Sequence, residues 1–202
     1  MTYETEQYEE KLVSKAIHII RNPLDNVVSR YHLFLKMIAK GQINEFFTSS
    51  FQISSFANDF EGFTNWCEAQ DSMYPEEEKA SFEGTTFYDL LQQIPCHAEF
   101  FRYAKWHNHA FEIISEMSIP SMILYYEDFA SDFNKTKERL FQFIEVEEEN
   151  VTKRRNSIIF DAGKNYSTYY TEEQEQAIWN LLETVCDKST YLKIHSRYRI
   201  GQ

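Results

Sequence analysis

Residues 15–34 read KAIHIIRNPLDNVVSRYHLF, and the fold of the chain turns on this stretch. Ala16–Ile20 is a short apolar run with β-branched isoleucines, the pattern of a buried parallel strand. Asn22 can cap a helix, Pro23 suits its first turn, and Asp25 stands three residues after the cap. Leu24, Val27, Val28, Tyr31, Phe34, Leu35 and Ile38 then recur at helical spacing, so one helix face should pack on a sheet. Gly41 is the expected stop. The spacing therefore predicts strand, tight turn and helix. It puts Arg21 at the carboxyl end of the strand, where open α/β sheets take ligands, and Ser29 nearly two turns into the helix. An arginine fork and a hydroxyl near such a junction suit a phosphate. The plainer alternative pairs Arg21 with a carboxylate and leaves Ser29 solvated.

The run Arg21-Asn22-Pro23-Leu24-Asp25-Asn26-Val27-Val28-Ser29 resembles the second nucleotide-binding signature of sulfotransferases. Those enzymes use 3′-phosphoadenosine 5′-phosphosulfate as donor. The resemblance implies that Arg21 and Ser29 hold the 3′-phosphate of that co-substrate. It also implies an α/β fold of the P-loop-like sulfotransferase kind, with a mainly parallel central sheet flanked by helices. Further along, Tyr125-Tyr126-Glu127-Asp128-Phe129 resembles the family's strand end before an amphipathic helix. Glu127 and Asp128 there are read as local capping residues. Phe160-Asp161-Ala162-Gly163-Lys164 is similar to the family's Phe-Arg-Lys-Gly grip on the 3′-phosphate. Phe160 and Gly163 match, whereas Asp161 and Ala162 replace the basic pair. Lys164 is the substitute cation, since a point charge needs less exact geometry than an arginine fork.

The resemblance spans roughly Lys15 to Val185, and it leaves a gap. Sulfotransferases begin with a strand and a loop of Lys, Gly, Thr and Ser that cradles the 5′-phosphosulfate through backbone donors. Only 20 residues precede Arg21, and they hold one Ser and no Gly. With Met1 taken as the start, the amino-terminal strand, the phosphate loop and the usual catalytic His or Glu are all missing. No catalytic residue is assigned, and His18 inside the strand is read as structural. The expectation is a single, incomplete sulfotransferase domain over 1–202. Its function would be sulfuryl transfer to a hydroxyl or amine acceptor, a glycan or other biomolecule. The alternative is an inactive fragment or pseudoenzyme that binds nucleotide or acts as a scaffold. A kinase-like reading fares worse, because no G-x-x-x-x-G-K sequence occurs.

Composition narrows the classes. With 17 Phe and 13 Tyr against 5 Gly and 4 Pro, the chain is that of a folded globular protein. At 202 residues it can bury a sizeable core. The formal charge of −12 opposes a general nucleic-acid or acidic-membrane surface. No apolar run approaches the ~20 residues of a membrane span, and the polar start MTYETEQYEEKL is not a signal peptide.

The three thiols Cys67, Cys96 and Cys186 include no C-x-x-C pair, so zinc is not expected. Either all three are free, or two pair in an oxidising compartment. Cys67 and Cys96 flank an acidic loop, Asp71–Glu83, and are the pair that would close it. Such a bond fits the Golgi-lumen sulfotransferases, which the Tyr169-Tyr170-Thr171-Glu172-Glu173 stretch also resembles; a cytoplasmic enzyme with free thiols is the alternative.

The remaining elements follow from periodicity. A charged lead-in occupies residues 1–14. Phe56, Phe60 and Phe63 should pack a second helix near Asn58–Glu68, and Phe87–Gln93 is a short apolar segment closed by Pro95. A helix is expected from His97 to Met117, with Phe100, Ala104, His107, Phe111 and Ile114 on one face. Trp106-His107-Asn108-His109 invites a metal reading, but positions two apart on a helix diverge, so no metal is expected. Met122–Tyr126 is a second buried strand. Phe133, Thr136, Leu140, Phe143 and Ile144 mark the next helix, and an exposed acidic stretch runs from Glu145 to Asn150. Thr171 and Gln174 form a capping box for a last helix through Ile178, Leu181, Leu182 and Val185.

Overall fold

The computed structural model describes residues 13–42, 51–52, 55–73, 91, 93–146 and 166–199. In chain order their elements are β1 (Ala16–Ile20), α1 (Pro23–Ala39), α2 (Phe60–Met73), α3 (His97–Met117), β2 (Ser121–Tyr125), α4 (Asp128–Ser131), α5 (Phe133–Ile144), α6 (Glu172–Val185) and α7 (Lys188–Tyr198), with a 3₁₀ turn at Ser167–Tyr169. The described protein is mostly helical, with a small parallel two-stranded sheet. The chain divides into two compact units, 1–21 with 109–164 and 22–108 with 165–202.

In the first unit β1 and β2 run parallel, in register from Ala16 opposite Ser121 to Ile20 opposite Tyr125. Two segments about a hundred positions apart are thus joined as their apolar, β-branched runs require. β2 ends one residue earlier than the sequence suggested. The Tyr126 N–H still donates to the Ile20 carbonyl at 2.8 Å, so the ladder carries over into the following turn. Burial along β1 alternates. His18 and Ile20 are inside, whereas Ile17 and Ile19 are 41% and 54% exposed. The expected two-sided burial is not found. A five-residue run with a histidine at its centre looks the same whether one face or both are covered. His18 is structural: its ring stacks on Phe111 of α3 at 4.3 Å and an interplanar angle of 1°.

α5 keeps its predicted place but not its full stripe. Thr136 is buried and its hydroxyl donates to the Asp128 carbonyl at 3.1 Å, while Phe133 and Ile144 remain substantially exposed. Asp132, not Glu127, caps the helix, accepting the Lys135 N–H at 3.1 Å. Glu127 makes no side-chain cap bond to α4. Lys15 closes the other end. Its ammonium donates to the Phe143 carbonyl at 2.6 Å and pairs with Glu145 at 2.8 Å, a cation at the negative end of a helix.

The second unit is an aromatic-rich helical core. α1 starts as its sequence dictates, with Asn22 Oδ1 accepting the Leu24 N–H at 3.0 Å and Pro23 in the first turn. It stops at Gly41, whose φ of +64° lies in the left-handed region that glycine enters without steric cost. The Gly41 N–H reaches the Ile38 carbonyl and the Gln42 N–H the Met37 carbonyl, both at 2.9 Å, which is a Schellman closure. Val27, Val28 and Tyr31 form the buried face of α1. Tyr31 packs on Phe63 and Trp66 of α2, with ring centroids 5.5 Å apart in each case, and its hydroxyl donates to the Ala57 carbonyl.

α2 begins at Phe60 and ends at Met73, later at both ends than predicted. Phe56 and Phe63 are buried as expected, but Phe60 is 53% exposed. Asp71, expected to open an exposed loop, lies in the last turn of α2 and is largely buried. The lead-in 1–12, most of the acidic loop, the apolar segment 87–93 apart from Leu91 and Gln93, and residues 147–165 lie outside the described residues.

α6 opens with the predicted capping box. Thr171 N–H donates to Gln174 Oε1 at 2.9 Å, and Gln174 N–H donates to Thr171 Oγ1 at 3.2 Å. It is not the last helix. α7 follows, burying Thr190, Ile194 and Tyr198 four residues apart. One apolar residue per turn in KSTYLKIHSRY is too sparse a stripe to announce a helix. No helix among the described residues is long and apolar enough to cross a membrane.

Gly62 lets α2 approach α1. A Cβ there would meet the Ala57 backbone and lie 2.6 Å from the Tyr31 hydroxyl. Gly62→Ala should therefore lower stability by about 1–3 kcal/mol, the usual cost of overpacking a filled core. Thermal denaturation checks this; an unchanged melting temperature would show that the approach is not tight.

Candidate functional site

Arg21 follows β1 directly and is half-buried. Its guanidinium carbon lies over the Tyr126 ring, 4.6 Å from the centroid, a cation–π contact within the first unit. Tyr126 is presented by the turn that follows β2, so the sheet sets both partners at its carboxyl end. Ser29 lies in α1 of the second unit, half-buried, between buried Val28 and exposed Arg30. Gly163 and Lys164 lie outside the described residues.

Arg30 has a different task from its neighbour Ser29. Its Nε pairs with Glu99, whose carboxylate is essentially inaccessible to solvent; Arg102 pairs with the other carboxylate oxygen. Arg102 also reaches Gln70 of α2 at 3.5 Å. Helices α1, α2 and α3 thus meet at one buried anion held by two cations. That fixes α1, and with it the position of Ser29 within this unit.

A cavity of about 400 Å³ opens in the second unit, lined by Thr64, Glu68, Asp71, Ser72, Gln93 and His97 among others. Beside it Cys67 and Cys96 are bonded, with their Cα atoms 4.3 Å apart. Of the two alternatives for these thiols, the structure takes the paired one. Cys186 is free and buried, and burial with Asp187 nearby pushes its thiol up to about 12. A thiol so rarely ionised is a poor nucleophile.

Asp71 Oδ1 accepts the Ala98 N–H at 2.9 Å at the start of α3, and Oδ2 lies 3.2 Å from His97 Nδ1. Burial pushes Asp71 up to about 7; the nearby Glu99 charge adds to this, and backbone donors only partly offset it. Sequence reading missed this Asp–His pair, because residues 26 positions apart share no local pattern. The flanking cysteines were the one available signal.

The histidines of the Trp106–His109 run separate as helical geometry requires. His107 is buried with its ring edge-on to Tyr103 at 4.3 Å, whereas His109 is exposed and 3.3 Å from Glu112. Asn108 between them has a structural role. Its amide donates to the Val185 carbonyl at 3.0 Å and accepts the Asp187 N–H at 2.9 Å, pinning the corner between α6 and α7. Among the described residues no group of three His, Cys, Asp or Glu could hold a metal ion.

The model of the sulfotransferase domain family matches residues 7–190. The chain belongs to the sulfotransferase family. The match covers most of its length and includes Arg21, Ser29, Gly163 and Lys164. No curated protein and no solved structure matches this sulfotransferase domain.

The Asp71 geometry has a measurable consequence. A carboxyl raised to about 7 holds its proton in the folded state above the ordinary carboxylate range. Its stabilising contribution is present below about pH 4 and lost as pH rises to about 7. Relative to Asp71→Asn, the wild type should therefore lose unfolding free energy across that window, read by denaturant titrations at several pH values. A constant difference between the two proteins would show that Asp71 titrates normally.

Proposed function

We propose that this sulfotransferase domain uses 3′-phosphoadenosine 5′-phosphosulfate as donor and transfers its sulfuryl group to a hydroxyl or amine of a glycan or other biomolecule. The observation that carries the reading is the Arg21–Ser29 signature, set on a strand–turn–helix inside the family match. In this reading Arg21 and Ser29 take the donor's 3′-phosphate, and Lys164 beside Gly163 adds a point charge. That the match spans residues of both compact units supports treating the chain as one domain.

The chemistry asks for a forked cation and a hydroxyl at the 3′-phosphate, an oriented acceptor and a base for its proton. Arg21 stands at the sheet edge where α/β proteins take ligands. Positive charge there anchors the nucleotide that leaves when the sulfuryl group departs. We place the protein in the Golgi lumen. The Cys67–Cys96 bond supports this, since such bonds persist in oxidising compartments.

Calorimetry with adenosine 3′,5′-bisphosphate tests the assignment. These 202 residues hold no stretch resembling the family's 5′-phosphosulfate loop, so two or three charge-assisted bonds must carry the affinity. That suggests a dissociation constant between about tens of micromolar and millimolar. Arg21→Ala should abolish binding, and Arg21→Lys should restore little, because an ammonium cannot bridge two oxygens as a fork does. Adenosine 5′-monophosphate should not bind detectably. Equal affinity for the two nucleotides, or unchanged binding by Arg21→Ala, would refute the assignment. Binding without sulfuryl transfer to any hydroxyl or amine acceptor would instead identify a donor-binding scaffold.

A further inference from the structure

We propose that Asn134 is a modification site and carries an N-linked oligosaccharide. The inference rests on the lumenal placement proposed above, because that modification belongs to proteins of the secretory route. Asn134-Lys135-Thr136 is an N-x-T acceptor sequence with no proline at its centre. Two further sequences of this form, Asn150-Val151-Thr152 and Asn165-Tyr166-Ser167, have their asparagines outside the described residues, and the inference is confined to Asn134.

The fold puts this asparagine where a bulky group is tolerated. Residues 131–135 are exposed throughout, at the corner where α4 turns into α5. Asp132 makes the corner, with φ −150° and ψ 76°, and its carboxylate then caps α5 by accepting the Lys135 N–H. Asn134 stands in the first turn that follows. A sugar on its Nδ2 has solvent on both sides along the chain. The ring of Phe133 next to it is 46% exposed and lies 6.4 Å from that of Phe129. Carbohydrate at Asn134 lies beside that exposed ring and keeps it from other apolar surfaces.

Thr136 plays two parts at two times. In the folded protein it is buried, and its hydroxyl donates to the Asp128 carbonyl at 3.1 Å. The acceptor sequence requires a hydroxyl at this same position, so the sugar is attached before the corner closes. In that step Asn134 Nδ2 bonds to the anomeric carbon of an oligosaccharide carried on a lipid-linked pyrophosphate. The bond from that carbon to the pyrophosphate breaks, the lipid pyrophosphate leaves, and the amide gives up one proton. When α5 then forms, Thr136 turns inward and Asn134 stays outward, because positions two apart on a helix diverge. The fold thus buries the hydroxyl without burying the modified amide.

The test uses the full chain isolated from the cells that make it, as wild type, Asn134→Gln and Thr136→Ser. Peptide N-glycosidase releases the sugar and leaves an aspartate at each modified position, so mass spectrometry of the peptides reads every asparagine separately. Wild type should show that conversion at position 134 and gain gel mobility on treatment. Asn134→Gln should lose the conversion there and migrate one glycan step faster than untreated wild type. Thr136→Ser, which keeps a hydroxyl, should retain the modification. Alkylation of the same protein without reductant reads Cys67 and Cys96 and separates the two ways of failing. An unmodified Asn134 in protein whose two thiols are bonded would overturn this inference and leave the lumenal placement standing. An unmodified Asn134 with both thiols alkylated would refute the lumenal placement, and the inference falls with it. Mapping the wild type needs no substitution, so a variant that fails to fold does not obscure the outcome.

Discussion

The second unit depends on one buried charge. Glu99 is almost inaccessible to solvent, and a carboxylate there would be costly if unpaired. Arg30 from α1 and Arg102 from its own helix supply the compensating charge, and Gln70 of α2 meets Arg102. Breaking such an arrangement on one side strands a charge in the core, which is why buried pairs constrain geometry more than they add net stability. The constraint here is rotational. With Arg30 held toward Glu99, Val27 and Tyr31 must point into the aromatic core, and Ser29 must lie on the flank of α1.

Around that point the aromatic residues set the distances. Tyr31, Phe63, Trp66 and Tyr170 meet at tilted or edge-on angles with centroids near 5.5 Å, the arrangements that aromatic quadrupoles favour. Tyr170 is fully buried, and desolvation, with the Asp25, Glu175 and Glu99 charges adding to it, raises its phenol well above the ordinary value. It therefore serves the core as a neutral ring. The Cys67–Cys96 bond and the Asp71 bond to the Ala98 N–H tie the end of α2 to the start of α3, so the same two helices are fastened both by covalent linkage and at a helix terminus.

The first unit is organised differently. Its described strands are joined by backbone pairing. Two five-residue strands in parallel register set the places of His18, Arg21 and Tyr126, and Lys15 fastens the end of α5 beside them. Such a unit has few ways to shift by one position. A one-residue slip would turn Ile17 and Ile19 inward and His18 outward. It would also break the stack of His18 on Phe111.

Local chemistry alone determined a good deal. The limits of β1, the Asn22 cap, the Gly41 stop, the span of α3 and the Thr171 capping box are short-range effects. Each is decided by a few adjacent residues, so each was legible. The Arg21–Ser29 signature was legible for the same reason, since its residues are nearly contiguous. What the tertiary structure decided is every relation between distant positions. It chose the paired state of Cys67 and Cys96, left one face of β1 open, buried Asp71 against His97 and put Arg21 on Tyr126. It also folded α7, whose sparse stripe becomes helical once Thr190, Ile194 and Tyr198 are buried and Asn108 pins its corner. None of these follows from a propensity or a period. They arise because burial and pairing energies depend on which surfaces meet, and a linear pattern records only that a residue can be buried.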